Sequence, residues 1–127
     1  MRVILVRHAA ARPGEPDELR ELSDEGRGAA RLLGELLAER EPDAVVSSPL
    51  LRARETAAAI AAASGLDAAV DEGLRPGATV DSLRAAVSGR GETVVAVGHQ
   101  PDCSEIVLDL TGEHRSFPTA GFAEVEL

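Results

Sequence analysis

The chain has 127 residues, room for one domain of ordinary size that buries roughly two thirds of its unfolded surface around a single core. A formal net charge of -9 argues against the broad basic surface that nucleic acid or an anionic membrane requires, so no nucleic acid and no membrane is expected as principal partner. All 13 basic residues are Arg, which excludes a Walker A lysine and a Schiff-base lysine; Arg suits anion recognition by a rigid guanidinium fork, with GC-rich codon usage the alternative reason for Arg in place of Lys.

Tyr and Trp are absent and Phe occurs twice, so the core is built from Leu, Val, Ile and many Ala, a composition that favours helices packed closely on a sheet. The lone Cys103 precludes an internal disulfide and suits a reducing compartment. No apolar run approaches a signal-peptide core or a membrane span, and the expected location is cytoplasmic.

Taken in order, "VILV" at 3–6 is continuous, β-branched and apolar, as expected of a strand covered on both faces. After a loop with Pro13, Gly14 and Pro16, Ser23 is positioned to cap a helix whose first turn carries Asp24 and Glu25 and whose apolar stripe is Ala30, Leu33 and Leu37. That helix stops by Glu41, before Pro42, and "DAVVSS" forms a second strand. Ser48 as cap and Pro49 as first helical residue predict a second helix with Leu50, Ala53, Ala57 and Ile60 on its buried face, ending near Gly65.

A short strand is expected around 68–70, then a helix in "TVDSLRAAVSG" buried through Leu83 and Val87, then the strand "TVVAVGH". The next helix starts near Pro101 with Cys103, Ile106, Val107 and Leu110 on one face; Asp102, Glu105 and Asp109 form a neighbouring stripe expected to be solvated. The closing "GFAEVEL" alternates Ala123, Val125 and Leu127 with Glu124 and Glu126, the pattern of a strand with one wet face. Strands alternating with helices imply an α/β fold, a three-layer α/β/α sandwich with a mainly parallel central sheet, formed by one compact domain over 1–127 without capping insertions. Ligands of such sheets bind beyond the carboxyl ends of the strands.

That rim receives "RH" at 7–8, "SSPLLR" through Arg52, and "GH" at 98–99. The three segments "LVRHAA", "VVSSPLLRARETA" and "VAVGHQPDCSE" match, in order and spacing, the signature of the histidine phosphatase superfamily, and the chain most resembles its small SixA-type phosphohistidine phosphatases. The resemblance implies a phosphatase in which His8 is the nucleophile and forms a phosphohistidine that water hydrolyses, without a metal or other cofactor. It implies that Arg7, Arg52 and Arg20, the last from "LRELSDEG", bind the equatorial phosphoryl oxygens, with His99 donating a further hydrogen bond. On sequence alone Arg20 serves equally as a loop residue paired with Glu18 or Glu21.

Relatives that hydrolyse phosphate esters carry a carboxylic acid for the leaving oxygen, and here the position after the second histidine is Gln100. Glu72 is the candidate general acid near the other expected place, with an exposed loop residue as the alternative. A weak or absent acid is more tolerable when the leaving group is imidazole, with a conjugate-acid pKa of about 6.5, than when it is an alkoxide. The expected partner is therefore a phosphorylated protein carrying phosphohistidine. A small phosphorylated metabolite, or binding of phosphate without turnover, is the alternative.

Other phosphatase chemistries lack their residues. Six positions after Cys103 stands Asp109 where a cysteine phosphatase needs Arg, no DxD ends a strand, and His8, His99 and His114 have no metal-ligand spacing.

Overall fold

The computed structural model describes all 127 residues. The strands are β1 (Arg2–Arg7), β2 (Ala44–Ser47), β3 (Ala68–Val70), β4 (Thr93–Gly98) and β5 (Phe122–Glu126). The helices are α1 (Asp24–Ala38), α2 (Leu51–Ala63), α3 (Val80–Val87) and α4 (Asp102–Thr111), with single 3-10 turns at Asp17–Leu19 and Glu72–Leu74. They form one sheet in the order β3-β2-β4-β1-β5, parallel except for β5, which runs antiparallel to β1.

Side-chain alternation in the strands separates two apolar layers. Val3, Leu5, Val94 and Ala96 pack with Leu83, Val87, Ile106 and Val107 of α3 and α4. Ile4, Val6, Val95 and Val97 pack with Leu33, Leu37, Ala57 and Ile60 of α1 and α2. Full burial of each such aliphatic side chain contributes about 1.5–3 kcal/mol. Both faces of β1 and β4 are therefore covered, as their unbroken apolar runs require, and the expected three-layer sandwich with a mainly parallel sheet is the observed fold.

Local signals set the element ends. The Ser23 hydroxyl accepts the Gly26 N–H at 3.0 Å and caps α1 as the sequence predicts. Gly34 lies where α1 crosses α2; a Cβ there would stand 2.8 Å from the Ala59 carbonyl oxygen, so the small side chains set the close approach of the two helices.

Two expectations are corrected. Helix α2 starts at Leu51, with Leu50 rather than Ser48 at its N-cap position, and Pro49 lies in the preceding turn. The Ser48 hydroxyl does accept the Leu50 N–H at 3.2 Å, but it does so inside the strand-to-helix turn. The stripe of Asp102, Glu105 and Asp109 is not uniformly solvated either: Asp102 is buried because its carboxylate accepts the N–H groups of Gly77 and Ala78 at 2.8 and 3.2 Å.

Candidate active site

The register of the central strands brings the histidines together. Arg7 of β1 lies opposite Gly98 of the parallel β4, so His8 and His99 follow side by side at the carboxyl edge, and the His8 N–H donates to the Gly98 carbonyl at 3.1 Å. Their ring centroids are 5.3 Å apart. On the other flank of β4, the Ser48 N–H donates to the Val97 carbonyl at 3.0 Å, placing the β2–α2 turn at the same rim.

The tautomer of His8 follows from its partner. Nδ1 lies 2.7 Å from the Ala9 carbonyl oxygen, which can only accept, so Nδ1 carries the proton and Nε2 carries the lone pair. Nε2 has no protein partner and is not fully enclosed, although the residue as a whole is buried. Ala9 is held in turn: its N–H donates to the Thr56 hydroxyl at 3.0 Å, and that hydroxyl donates to the Arg52 carbonyl at 2.8 Å. The loop of His8 and the helix that carries Arg52 are thus one hydrogen-bonded unit.

His99 is oriented by Ser48, whose fully buried hydroxyl lies 2.8 Å from Nε2. Both histidines are pushed below the ordinary imidazole pKa. For His8 the main cause is burial, opposed by the Ala9 hydrogen bond and reinforced by the positive Arg52, Arg7 and Arg20. For His99, burial first and then His8 and Arg52 bring the value to about 4. Both rings are neutral at neutral pH, which a nucleophilic nitrogen requires.

Three guanidiniums surround the pair. Arg7 donates through one terminal nitrogen to the Phe117 carbonyl at 3.0 Å, while its Nε is buried without a partner. Arg52, buried at the start of α2, donates to the carbonyl of Asp17 at 3.0 Å and to its carboxylate at 3.2 Å. Arg20 donates to the other carboxylate oxygen of Asp17 at 3.1 Å and to the Arg12 carbonyl at 2.9 Å, which brings it to Arg52 rather than to Glu18 or Glu21. The sequence-nominated Arg7, His8, Arg20, Arg52 and His99 therefore converge.

Glu72 does not join them. Its exposed carboxylate pairs with Arg75 and has no contact with either histidine. Gln100 is turned into α4, where its amide donates to the Ser104 hydroxyl at 2.8 Å and its oxygen accepts the Ser104 N–H at 2.9 Å. The Asp102 carboxylate, two residues beyond Gln100, is likewise committed to Gly77 and Ala78. Burial, helped by Asp102, pushes the Cys103 thiol up to about 12, so it is no nucleophile.

No three His, Cys, Asp or Glu side chains cluster to hold a metal ion, and no helix is long and apolar enough to cross a membrane. The largest recess, about 490 Å³ between α1 and α2, is lined by residues such as Ala30, Ala59 and Ala62 and includes neither histidine. The polar cluster sits instead on the open rim of the sheet. Sequence reading missed Asp17, Thr56, the Phe117 carbonyl and the contact of Ser48 with His99. Only Thr56 left a signal, lying one helical turn beyond Arg52.

Residues 3–78 match the model of the histidine phosphatase superfamily (branch 1). An uncharacterized protein of Picosynechococcus sp. is 39% identical over 88 residues, 62% of this chain and 53% of that protein; the chain thus spans about half the length of this curated relative. Among solved structures, the protein histidine phosphatase SixA complexed with tungstate superposes with a TM-score of 0.87 at 28% identity, covering 100% of this chain and 88% of that one. A SixA-type protein of Agrobacterium tumefaciens, to which phosphohistidine phosphatase activity is ascribed, has a TM-score of 0.81 at 31% identity over 97% of this chain and 89% of that one. A mycobacterial glucosyl-3-phosphoglycerate phosphatase shares the fold at 21% identity and a TM-score of 0.78, over 98% of this chain and 90% of that one.

Proposed function

Given that the chain belongs to the histidine phosphatase superfamily, we propose that it is a metal-independent phosphatase that works through a phosphorylated His8 and takes phosphohistidine on a protein as its substrate. The observation that carries this reading is the state of His8: neutral, with Nδ1–H fixed on the Ala9 carbonyl and the Nε2 lone pair open beside a cluster of arginines.

Nε2 attacks phosphorus in line as the bond to the leaving group breaks. Charge on the equatorial oxygens is met by Arg7, Arg52 and Arg20, permanent cations that supply the electrostatic stabilisation without proton transfer. As the ring becomes a phosphoimidazolium, its Nδ1–H bond to Ala9 strengthens and holds the positive charge. Water then attacks phosphorus, the N–P bond breaks, and neutral His8 and phosphate are released.

The substrate class rests on the acid that the rim lacks. A phosphohistidine ring whose far nitrogen is protonated leaves as neutral imidazole and needs no further proton, whereas an alkoxide does. The uncovered rim also leaves space for a phosphorylated protein surface. Similarity to SixA-type structures supports the same reading.

The test is hydrolysis of phosphohistidine protein and of phosphoramidate in the presence of chelator, with acid-labile phosphoenzyme trapped on His8. His8→Ala is expected to abolish both turnover and label. Retention of either by that variant overturns the mechanism, and a higher kcat/KM for a metabolite phosphate ester than for phosphohistidine protein overturns the substrate class.

A further inference from the structure

The proposed reaction sends Arg20 and Arg52 to one phosphoryl group, yet two like charges do not gather at an open rim unaided. Between them stands Asp17, in the 3-10 turn Asp17–Leu19. One of its carboxylate oxygens accepts from Arg20 at 3.1 Å and the other from Arg52 at 3.2 Å, while its carbonyl accepts from Arg52 at 3.0 Å. The carboxylate joins a surface-loop guanidinium to a buried one.

We propose that Asp17 is a positioning residue of the phosphoryl site, an anionic bridge that sets the spacing and orientation of Arg20 and Arg52 while leaving their remaining N–H groups for substrate oxygens. This deepens the phosphatase reading and rests on it for its link to catalysis.

A guanidinium carries five N–H donors in one plane. Arg52 spends two of them on Asp17, and Arg20 spends one on Asp17 and one on the Arg12 carbonyl, so each keeps three and has its plane fixed. Fixing these long side chains before substrate arrives removes ordering entropy from the binding step. Charge points the same way. Three guanidiniums less one carboxylate leave a net of two positive charges, the match for a phosphoryl dianion.

Asp17 is unsuited to be the missing acid. The hydrogen bond from Arg20, with further help from Arg52, holds its carboxyl below the ordinary range, so it carries no proton to give at neutral pH.

The alternative for the same contacts is a carboxylate that merely fills the phosphate site and must be displaced. The two roles differ in sign. Wild type, Asp17→Asn, Arg20→Ala and the double variant of the full chain would be compared for phosphoramidate kcat and KM, for affinity toward inorganic phosphate by calorimetry, and for urea midpoint. As a bridge, Asp17 is expected to make Asp17→Asn raise KM and weaken phosphate binding by about tenfold, the size of a lost charge-assisted pair. In the Arg20→Ala background the same change is expected to cost less than about threefold, because the bridge already lacks one pier. The urea midpoint should stay near wild type.

Tighter phosphate binding in Asp17→Asn, unchanged affinity, full multiplication of the two effects, or a kinetic loss that tracks a fallen midpoint would each overturn the proposal. Phosphate affinity reads the bridge whether or not the chain turns over, while His8→Ala reads the catalytic mechanism, so failure of one is distinguishable from failure of the other.

Discussion

Replacing Thr56 by Val tests whether the loop of His8, the proposed nucleophile, depends on a single buried hydroxyl. Thr56 is fully buried, accepts from the Ala9 N–H at 3.0 Å and donates to the Arg52 carbonyl at 2.8 Å. Val has nearly the same shape, so no cavity forms; what changes is that the Ala9 N–H loses its partner in a site closed to water. An orphaned buried donor costs about 1–3 kcal/mol, and about 2 kcal/mol in a domain of this size lowers Tm by roughly 7 °C. Thr56→Ser keeps the hydroxyl and removes one methyl, a loss of about 1 kcal/mol.

Activity should separate the two variants more sharply than stability does. The Ala9 carbonyl holds the His8 Nδ1 proton, so a freed Ala9 lets the ring rotate away from in-line geometry, and a misplacement of that kind lowers kcat/KM by about tenfold or more. Urea midpoints and phosphoramidate hydrolysis measured on both variants decide the matter. If Thr56→Val proves as stable and as active as Thr56→Ser, the hydroxyl is not what ties the loop of His8 to α2, and the reasoning is refuted.

Two other outcomes follow from the same structure. Because burial depresses both histidines, with His99 near 4 against an unfolded value of 6.5, the unfolded chain binds more protons in that window. Stability is therefore expected to be full above about pH 6.5 and to fall as pH drops toward 4, and the acid limb of kcat/KM should lie below 6.5; a limb above 6.5 would contradict a neutral His8. In α1, Gly28 faces open space while a Cβ at Gly34 meets backbone at 2.8 Å. Urea unfolding should accordingly show Gly28→Ala stabilising by about 0.5–1 kcal/mol and Gly34→Ala destabilising by about 1–3 kcal/mol, and equal shifts would mean that α1 and α2 are not in tight contact.

What could be read from sequence and what could not divide along physical lines. Strand β1 and strand β4 were legible because both faces are buried and apolar residues leave no gap, and α1 because Ser23 and the Leu33–Leu37 stripe are local signals. Helix α2 begins three residues beyond the expected cap because Ser48 and Pro49 are good helix-entry residues in isolation, yet the Ser48 hydroxyl is held in the turn by the Leu50 N–H and by a tertiary contact with His99. Asp102 was misread for the same reason, since the loop at Gly77 and Ala78 that covers it is distant in sequence. Asp17 lies in a Pro-rich loop without periodicity, where no local rule indicates which side chains meet.

The spacing within "SSPLLRARET" acquires a physical account once these contacts are placed. Ser48 holds His99, Leu50 is buried beneath the turn, Arg52 lies in the first turn of the helix at the rim, and Thr56, one turn later, reaches back to Ala9 beside His8. One helical turn separates Arg52 from Thr56, so the proposed phosphoryl ligand and the residue that grips the loop of His8 lie on one face of α2. A shift of α2 would move both together relative to β4. On the proposed mechanism, the segment therefore sets the distance between the attacking nitrogen and the cations that receive the developing charge, the quantity that in-line phosphoryl transfer depends on most.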